Sequence, residues 1–164
     1  MSLSAQHQLA QRIAERLLQT KQMLGLAESC TGGMAASTLT DLAGSSAWFD
    51  SATVVYSNQA KHDLLQVDLA EIAKYGAVSE QVAKSMALGL LAQGRCQIAA
   101  SVTGIAGPSG GSAEKPVGTV CVAWASQLGQ VQTATHHFSG NRISVREQSV
   151  ETLFMGILQL LTYQ

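Results

Sequence analysis

The sequence has little net charge, few aromatic side chains, two prolines and three cysteines. Its formal net charge is −1 and its basic residues are scattered, so it lacks the positive patch of a nucleic-acid-binding protein. The cysteines are odd in number and include no C-x-x-C pair, which argues against a disulfide framework or a zinc site. These absences favour a small-molecule ligand.

Long apolar runs are also missing. No uninterrupted apolar stretch approaches 18 residues, and the first 22 residues lack the basic start and apolar block of a secretory signal. We therefore expect a cytoplasmic protein that does not interact with a membrane. The length and the apolar-rich, glycine-rich composition predict one compact domain over residues 1–164.

Apolar spacing predicts alternating helices and strands. Only five residues, 126–130, separate the last two strands, which predicts an antiparallel hairpin within an otherwise parallel sheet. The fold class expected is α/β, a three-layer α/β/α sandwich with a mixed sheet. The predicted helices are 5–20, 34–42, 58–67, 79–94 and 141–161, and the predicted strands are 23–27, 47–57, 97–104, 118–125 and 131–138.

The stretch "AESCTGG" (27–33) places three possible nucleophiles, Ser29, Cys30 and Thr31, between a strand and a helix. Free N–H groups at a helix N-terminus stabilise negative charge, such as a phosphate or an oxyanion. The two glycines that follow allow a ligand to approach the backbone closely. The alternative is that a hydroxyl of this stretch simply caps the helix.

A serine nucleophile needs a base, and two residue types are available. His136 and His137 are adjacent on a predicted strand and would point to opposite faces. Lys61 follows Tyr56 by five residues and falls in or near the first turn of a helix, where the dipole and burial would lower its pKa. Alternatively, Lys61 is a solvated surface lysine and Tyr56 a packing residue.

Two further stretches are candidates for ligand binding. The glycine-rich "TGIAGPSGG" (103–111) joins two buried strands and either wraps a planar or phosphate group or serves as a connection. Arg142 and Arg146 lie one turn apart at the start of the last helix, where they could grip a phosphate or pair with an acid such as Glu147. The "SAEK" sequence (112–115) matches S-x-x-K but lies among glycines and a proline, so it is interpreted as loop.

The blocks "AESCTGG", "VVYSNQAKHDLL", "GAVS", "TGIAGPSGGSAEKPVGTV" and "FSGNRISVREQ" together resemble the CinA C-terminal family of nicotinamide-nucleotide amidases. The resemblance covers nearly the whole chain. It implies hydrolysis of nicotinamide mononucleotide to nicotinic acid mononucleotide and ammonia, as part of pyridine nucleotide recycling. It implies no metal and no cofactor.

The resemblance also implies roles for individual residues. It assigns the nucleophile to Ser29, the base to Lys61 and an assisting role to Tyr56. We expect N–H groups near Gly32 and Gly33 to hold the oxyanion, the glycine loop to hold the pyridine or ribose, and an arginine to hold the phosphate. The substrate-binding candidates are Thr31, Gly32, Gly33, Thr103, Gly104, Gly107, Arg142 and Arg146.

Two alternatives and one departure accompany this resemblance. A domain of the same fold could bind the nucleotide without turnover, or the enzyme could act on another carboxamide. Asn141 stands where the family commonly has aspartate, which would matter for substrate affinity if that acid orients an arginine. We also expect a homo-oligomer, since small α/β domains often pair through surface helices.

Overall fold

The structure is a computed structural model that describes residues 4–163. Within this range no helix is both long and apolar enough to span a membrane. The strands are Leu24–Glu28 (β1), Phe49–Val54 (β2), Ile98–Gly104 (β3), Thr119–Ser126 (β4) and Val131–His137 (β5). The helices are Ala5–Thr20 (α1), Met34–Thr40 (α2), Asn58–Leu65 (α3), Leu69–Tyr75 (α4), Glu80–Ala92 (α5) and Arg142–Thr162 (α6), with a 3₁₀ turn at Ser45–Ala47.

The strands form one five-stranded sheet in the order β2-β1-β3-β4-β5. β1 pairs in parallel with β2 and β3, whereas β4 is antiparallel to both β3 and β5. The short link between β4 and β5 leaves no room for a crossover, so these strands form the predicted hairpin. The expectation of a mixed sheet is confirmed.

Helices cover both faces of this sheet, because its inner strands alternate between two apolar cores. Along β4, Val120, Val122 and Trp124 join one core, and Cys121 and Ala123 join the other. The first core is completed by α1, α2 and α6, and the second by α3, α4 and α5. The three-layer α/β/α architecture is therefore confirmed.

Side-chain caps fix where most helices begin. The Ser4 hydroxyl accepts a hydrogen bond from the His7 N–H, and Ser79 and Asn141 do the same for α5 and α6. Asn141 accepts from the Ser144 N–H at 3.0 Å, so asparagine performs the capping that an aspartate would perform. The start of α6, which carries Arg142, is thus well defined.

The sequence did not predict α4, and α2 ends earlier than expected. Helix α4 is seven residues long, begins after the Asp68 cap and buries Ile72, which is too little for a periodic apolar stripe. The chain leaves α2 after Thr40, and Gly44 then adopts a φ of +81° before the 3₁₀ turn. Both differences concern helices of seven residues, which are too short for apolar spacing to define them.

The topology also determines where a ligand site lies. Strands β1, β2 and β3 are parallel, so their carboxyl ends meet at one edge of the sheet. From β1 the chain continues to β2, towards one edge of the sheet. From β3, the other neighbour of β1, it continues to β4, towards the opposite edge. Such a switch point opens a crevice at the carboxyl ends of the strands, where ligands of open α/β sheets bind.

Gly156 on α6 provides a test of how closely this helix packs on the sheet. A Cβ at this position would overlap the indole ring of Trp124, which is fixed by its hydrogen bond to the Leu153 carbonyl. Alanine normally stabilises a helix by about 1 kcal/mol over glycine, but overpacking a core costs about 1–3 kcal/mol. We expect Gly156→Ala to lower the urea midpoint of unfolding.

The neighbouring Met155, which is 48% exposed, supplies the control. Met155→Ala is expected to change the free energy of unfolding by less than about 0.5 kcal/mol. A Gly156→Ala variant as stable as the wild type, or more stable, would contradict this close packing.

Candidate active site

Ser29 directly follows β1, at the predicted strand-to-helix junction. Its N–H donates to the Val102 carbonyl at 3.0 Å, and its own carbonyl accepts from the Gly32 N–H at 3.1 Å. The residue is 7% exposed and borders a cavity of about 240 Å³ at the carboxyl edge of the sheet. A hydroxyl with an anchored backbone thus faces an accessible space.

Lys61 approaches the same cavity from α3. The Ser57 side chain caps this helix, so Lys61 lies in its first turns, as predicted. Although it is a lysine, it is only 1% exposed. Its Nζ lies 3.1 Å from the Ser29 Oγ, 3.1 Å from the Val55 carbonyl oxygen and 3.3 Å from that of Tyr56.

The Lys61 Nζ donates to all three of these oxygen atoms. The carbonyls of Val55 and Tyr56 can only accept, so they take two N–H groups of Lys61. The third contact, a donation from Nζ to the Ser29 Oγ, reverses its direction when the amine is neutral, because the lone pair of Nζ then faces the hydroxyl proton. The arrangement is that of a base facing the proton that it would remove.

Burial of Lys61 favours the neutral form of its amine. Burial lowers the pKa of Lys61, because the charged ammonium loses its hydration. A Cys30 thiolate would oppose this shift, but burial raises the pKa of the Cys30 thiol to about 12, so it stays neutral. Within residues 4–163, no carboxylate forms an ion pair with Lys61.

Tyr56, Arg142 and Gly107 form the rim of the cavity, although they come from three separate elements. Tyr56 follows β2 and is 61% exposed. The Arg142 Nη2 donates to the Tyr56 Oη at 3.0 Å, and its Nη1 donates to the Gly107 carbonyl at 2.8 Å. A cationic, hydrogen-bonding surface therefore borders the opening.

The start of the glycine-rich loop forms another wall of the cavity. The Thr103 hydroxyl is buried and donates to the Ala77 carbonyl at 2.9 Å. A Cβ on Gly104 would lie 2.7 Å from Val120 Cγ2 and 3.1 Å from Cys30 Sγ, so a larger residue would have to displace this wall. Glycine is thus required here by close packing.

The structure brings together most of the predicted site residues, but not all. Thr31, Gly32, Gly33 and Arg146 do not line the cavity. Ala77 and Val78, which the sequence reasoning did not single out, do line it, and their small apolar side chains carry no chemical signal. The predicted residues that line the cavity are Ser29, Tyr56, Lys61, Thr103, Gly104, Gly107 and Arg142.

The N–H groups of Gly32 and Gly33 already have acceptors, which revises their expected oxyanion role. The Gly32 N–H donates to the Ser29 carbonyl, and the Gly33 N–H donates to the Glu28 carboxylate at 3.0 Å. Glu28 was missed as a functional candidate, although an acid directly before a candidate nucleophile and near a helix N-terminus is a recognisable signal. The helix start binds a carboxylate of the protein itself.

Comparison with known proteins gives consistent matches over almost the whole chain. The sequence model of the family described as "CinA C-terminal domain" matches residues 6–161. The chain is 52% identical over 149 residues to "Nicotinamide-nucleotide amidohydrolase PncC" of Enterobacter agglomerans, with 91% of each chain covered. It is 46% identical over 156 residues to the protein of the same name from Escherichia coli K12, covering 93% of this chain and 94% of that one.

A solved structure supports the same relationship. The structure described as competence/damage inducible protein CihA from Agrobacterium tumefaciens superposes with a TM-score of 0.94 at 42% sequence identity. The match covers 98% of this chain and 99% of the other.

Proposed function

The chain belongs to the CinA C-terminal domain family, and we propose that it is an amidohydrolase that converts nicotinamide mononucleotide into nicotinic acid mononucleotide and ammonia. The observation that carries this proposal is the contact between Ser29 Oγ and the buried Nζ of Lys61 inside an open cavity. The names of the relatives from E. agglomerans and E. coli supply the class of substrate.

In the proposed first step, the Ser29 oxygen attacks the carboxamide carbon while its proton passes to the Lys61 Nζ. A C–O bond forms and the carbonyl electrons move to the oxygen. The intermediate then collapses with cleavage of the C–N bond, and the leaving nitrogen takes the proton from Lys61. Ammonia departs, and the nicotinoyl group remains as an ester on Ser29.

In the second step, a water molecule attacks the carbonyl carbon of this ester, and Lys61 accepts a proton from the water. The bond to the Ser29 oxygen breaks, the proton returns from Lys61 to that oxygen, and the carboxylic acid is released and gives its own proton to the solvent. One water is consumed and one ammonia is released. The balance requires no other reactant.

The developing oxyanion needs a donor other than Gly32 and Gly33. Cys30 borders the cavity, and its N–H directly follows the nucleophile, which is the position of an oxyanion donor in other serine hydrolases. We assign this role to the Cys30 N–H. The cysteine side chain, held as a thiol, takes no part in the reaction.

The cavity is smaller than the roughly 300–1,000 Å³ of common ligand pockets, which suits the pyridine carboxamide with the rest of the nucleotide at the rim. The exposed Arg142 guanidinium lies at that rim beside the Tyr56 hydroxyl. Arginine binds phosphate through charge-assisted hydrogen bonds. We therefore assign the 5′-phosphate to Arg142, with the Tyr56 hydroxyl as a second donor.

Ammonia release from nicotinamide mononucleotide by the purified chain tests the assignment of nucleophile and base. Ser29→Ala and Lys61→Met are each expected to lower kcat by about a thousandfold or more, because one removes the nucleophile and the other the base. Cys30→Ala should retain turnover within about tenfold of the wild type, since its N–H remains.

Circular dichroism of each variant controls for folding. If the wild-type chain binds the nucleotide but releases no ammonia, the enzyme proposal is wrong and the chain is a nucleotide-binding domain. Loss of activity in Cys30→Ala with retention in Ser29→Ala would reassign the nucleophile.

The pH dependence of kcat/KM tests the protonation state of Lys61. The base acts in its neutral form, so kcat/KM should fall tenfold per unit as pH drops below the pKa of Lys61. Because burial lowers this pKa, the fall of kcat/KM with decreasing pH should have its midpoint below the ordinary lysine pKa of about 10.4. Steady-state rates between about pH 7 and 10.5 avoid the phosphate titration near 6. A midpoint at about 10.4 or higher would contradict a buried lysine base.

A further inference from the structure

The loop that carries the nucleophile, residues 29–33, is bound on one side by a fully buried carboxylate. Glu28 is 0% exposed. It accepts hydrogen bonds from the Thr31 hydroxyl at 2.6 Å and from the N–H groups of Gly33 at 3.0 Å, Ala35 at 3.2 Å and Ala36 at 2.8 Å. Within residues 4–163 no cation forms an ion pair with it, so these donors alone offset its desolvation.

The same loop is bound from α6 by a guanidinium. The Arg146 Nε donates to the Cys30 carbonyl at 3.1 Å, and its Nη2 donates to the Thr31 carbonyl at 2.9 Å. The planar fork of arginine matches two neighbouring carbonyls in a way that lysine does not. Because α6 packs against β3 and β4, these bonds tie the loop to the core of the fold.

The Glu28 carboxylate and the Arg146 guanidinium thus bind complementary polar groups of one turn. The carboxylate collects its N–H and hydroxyl donors, and the guanidinium collects its carbonyls. The Ser29 N–H is meanwhile held by the Val102 carbonyl. The position of Ser29 Oγ relative to Lys61 Nζ depends on this turn, since the serine begins it.

We propose that Glu28 and Arg146 are positioning residues that together clamp the 29–33 loop and hold Ser29 within reach of Lys61. Neither lines the cavity, so they act on the reaction through the loop. The inference rests on the proposed amidase function and separates the two arginines of α6. Arg142 at the rim binds substrate, and Arg146 one turn later orients the nucleophile.

Kinetics with two substrates distinguish positioning from phosphate binding. The test compares Arg146→Met with Arg142→Met on nicotinamide mononucleotide and on its dephosphorylated riboside. A misplacement of about 1 Å costs about a hundredfold in rate. Arg146→Met should therefore lower kcat about 10- to 100-fold, with KM nearly unchanged and the preference for the phosphorylated substrate intact.

Arg142→Met is the matched control, because it removes the same charge one turn away. It should raise KM for the mononucleotide and reduce the preference for it over the riboside. Arg146→Lys should recover only part of the kcat lost in Arg146→Met, since an ammonium does not reproduce the fork.

Amide hydrogen exchange supplies a readout that does not depend on turnover. In the ¹⁵N-labelled chain, Glu28→Gln should accelerate exchange at Gly33, Ala35 and Ala36, because the side-chain amide offers one acceptor oxygen in place of two. Arg146→Met should accelerate exchange at Gly33 and therefore tests the clamp even if Glu28→Gln does not fold. Exchange in α5, on the other face of the sheet, should stay unchanged in both variants.

The outcomes separate the two proposals. A wild-type chain that releases no ammonia defeats the proposed function, while the exchange data still decide on the clamp. An active wild type in which Arg146→Met leaves kcat and Gly33 exchange unchanged overturns the clamp. An Arg146→Met variant that raises KM and loses the preference for the phosphate also overturns it and assigns Arg146 to substrate binding.

Discussion

Burial of the Lys61 amine beside Ser29 is the constraint on which the rest of the site depends. An ammonium removed from water without a carboxylate partner is unfavourable, and the protein relieves this cost by lowering the pKa of the group. Two backbone carbonyls fix its N–H groups, which leaves the lone pair of the neutral amine for the serine proton. The topology meets this demand by ending β1 and β2 side by side, so that Ser29 and the turn carrying Lys61 are neighbours.

The three cationic side chains at the site have different surroundings, which is why we propose different roles for them. Lys61 is buried beside Ser29, Arg142 is exposed at the rim, and Arg146 is half-buried against backbone carbonyls. Glu28 occupies the start of α2, where a substrate anion would otherwise be expected. We therefore propose that the helix N-terminus stabilises the geometry of the 29–33 loop and that the cavity rim binds the phosphate.

Much of the fold follows from local signals, and much of the site does not. Capping residues such as Ser4 and Ser79, and the apolar runs of β3 and β4, predict their elements because the cause lies within a few residues. The contact between Ser29 and Lys61 joins residues 32 positions apart, and their pairing was predicted through the family resemblance. Spacing alone could not separate Arg142 from Arg146, nor could it reveal that a Glu28 side chain occupies the Gly33 N–H.

An NMR titration of the Lys61 Nζ and Cε signals in the folded chain, with Lys61→Met for assignment, is the most direct measurement of whether this lysine serves as a neutral base. We expect the pKa of Lys61 to lie below the ordinary value of about 10.4, because burial disfavours the ammonium. We also expect the low pKa of Lys61 to persist in Ser29→Ala, since burial and the two carbonyls remain. A Lys61 pKa of about 10.4 or higher would contradict its role as a neutral base.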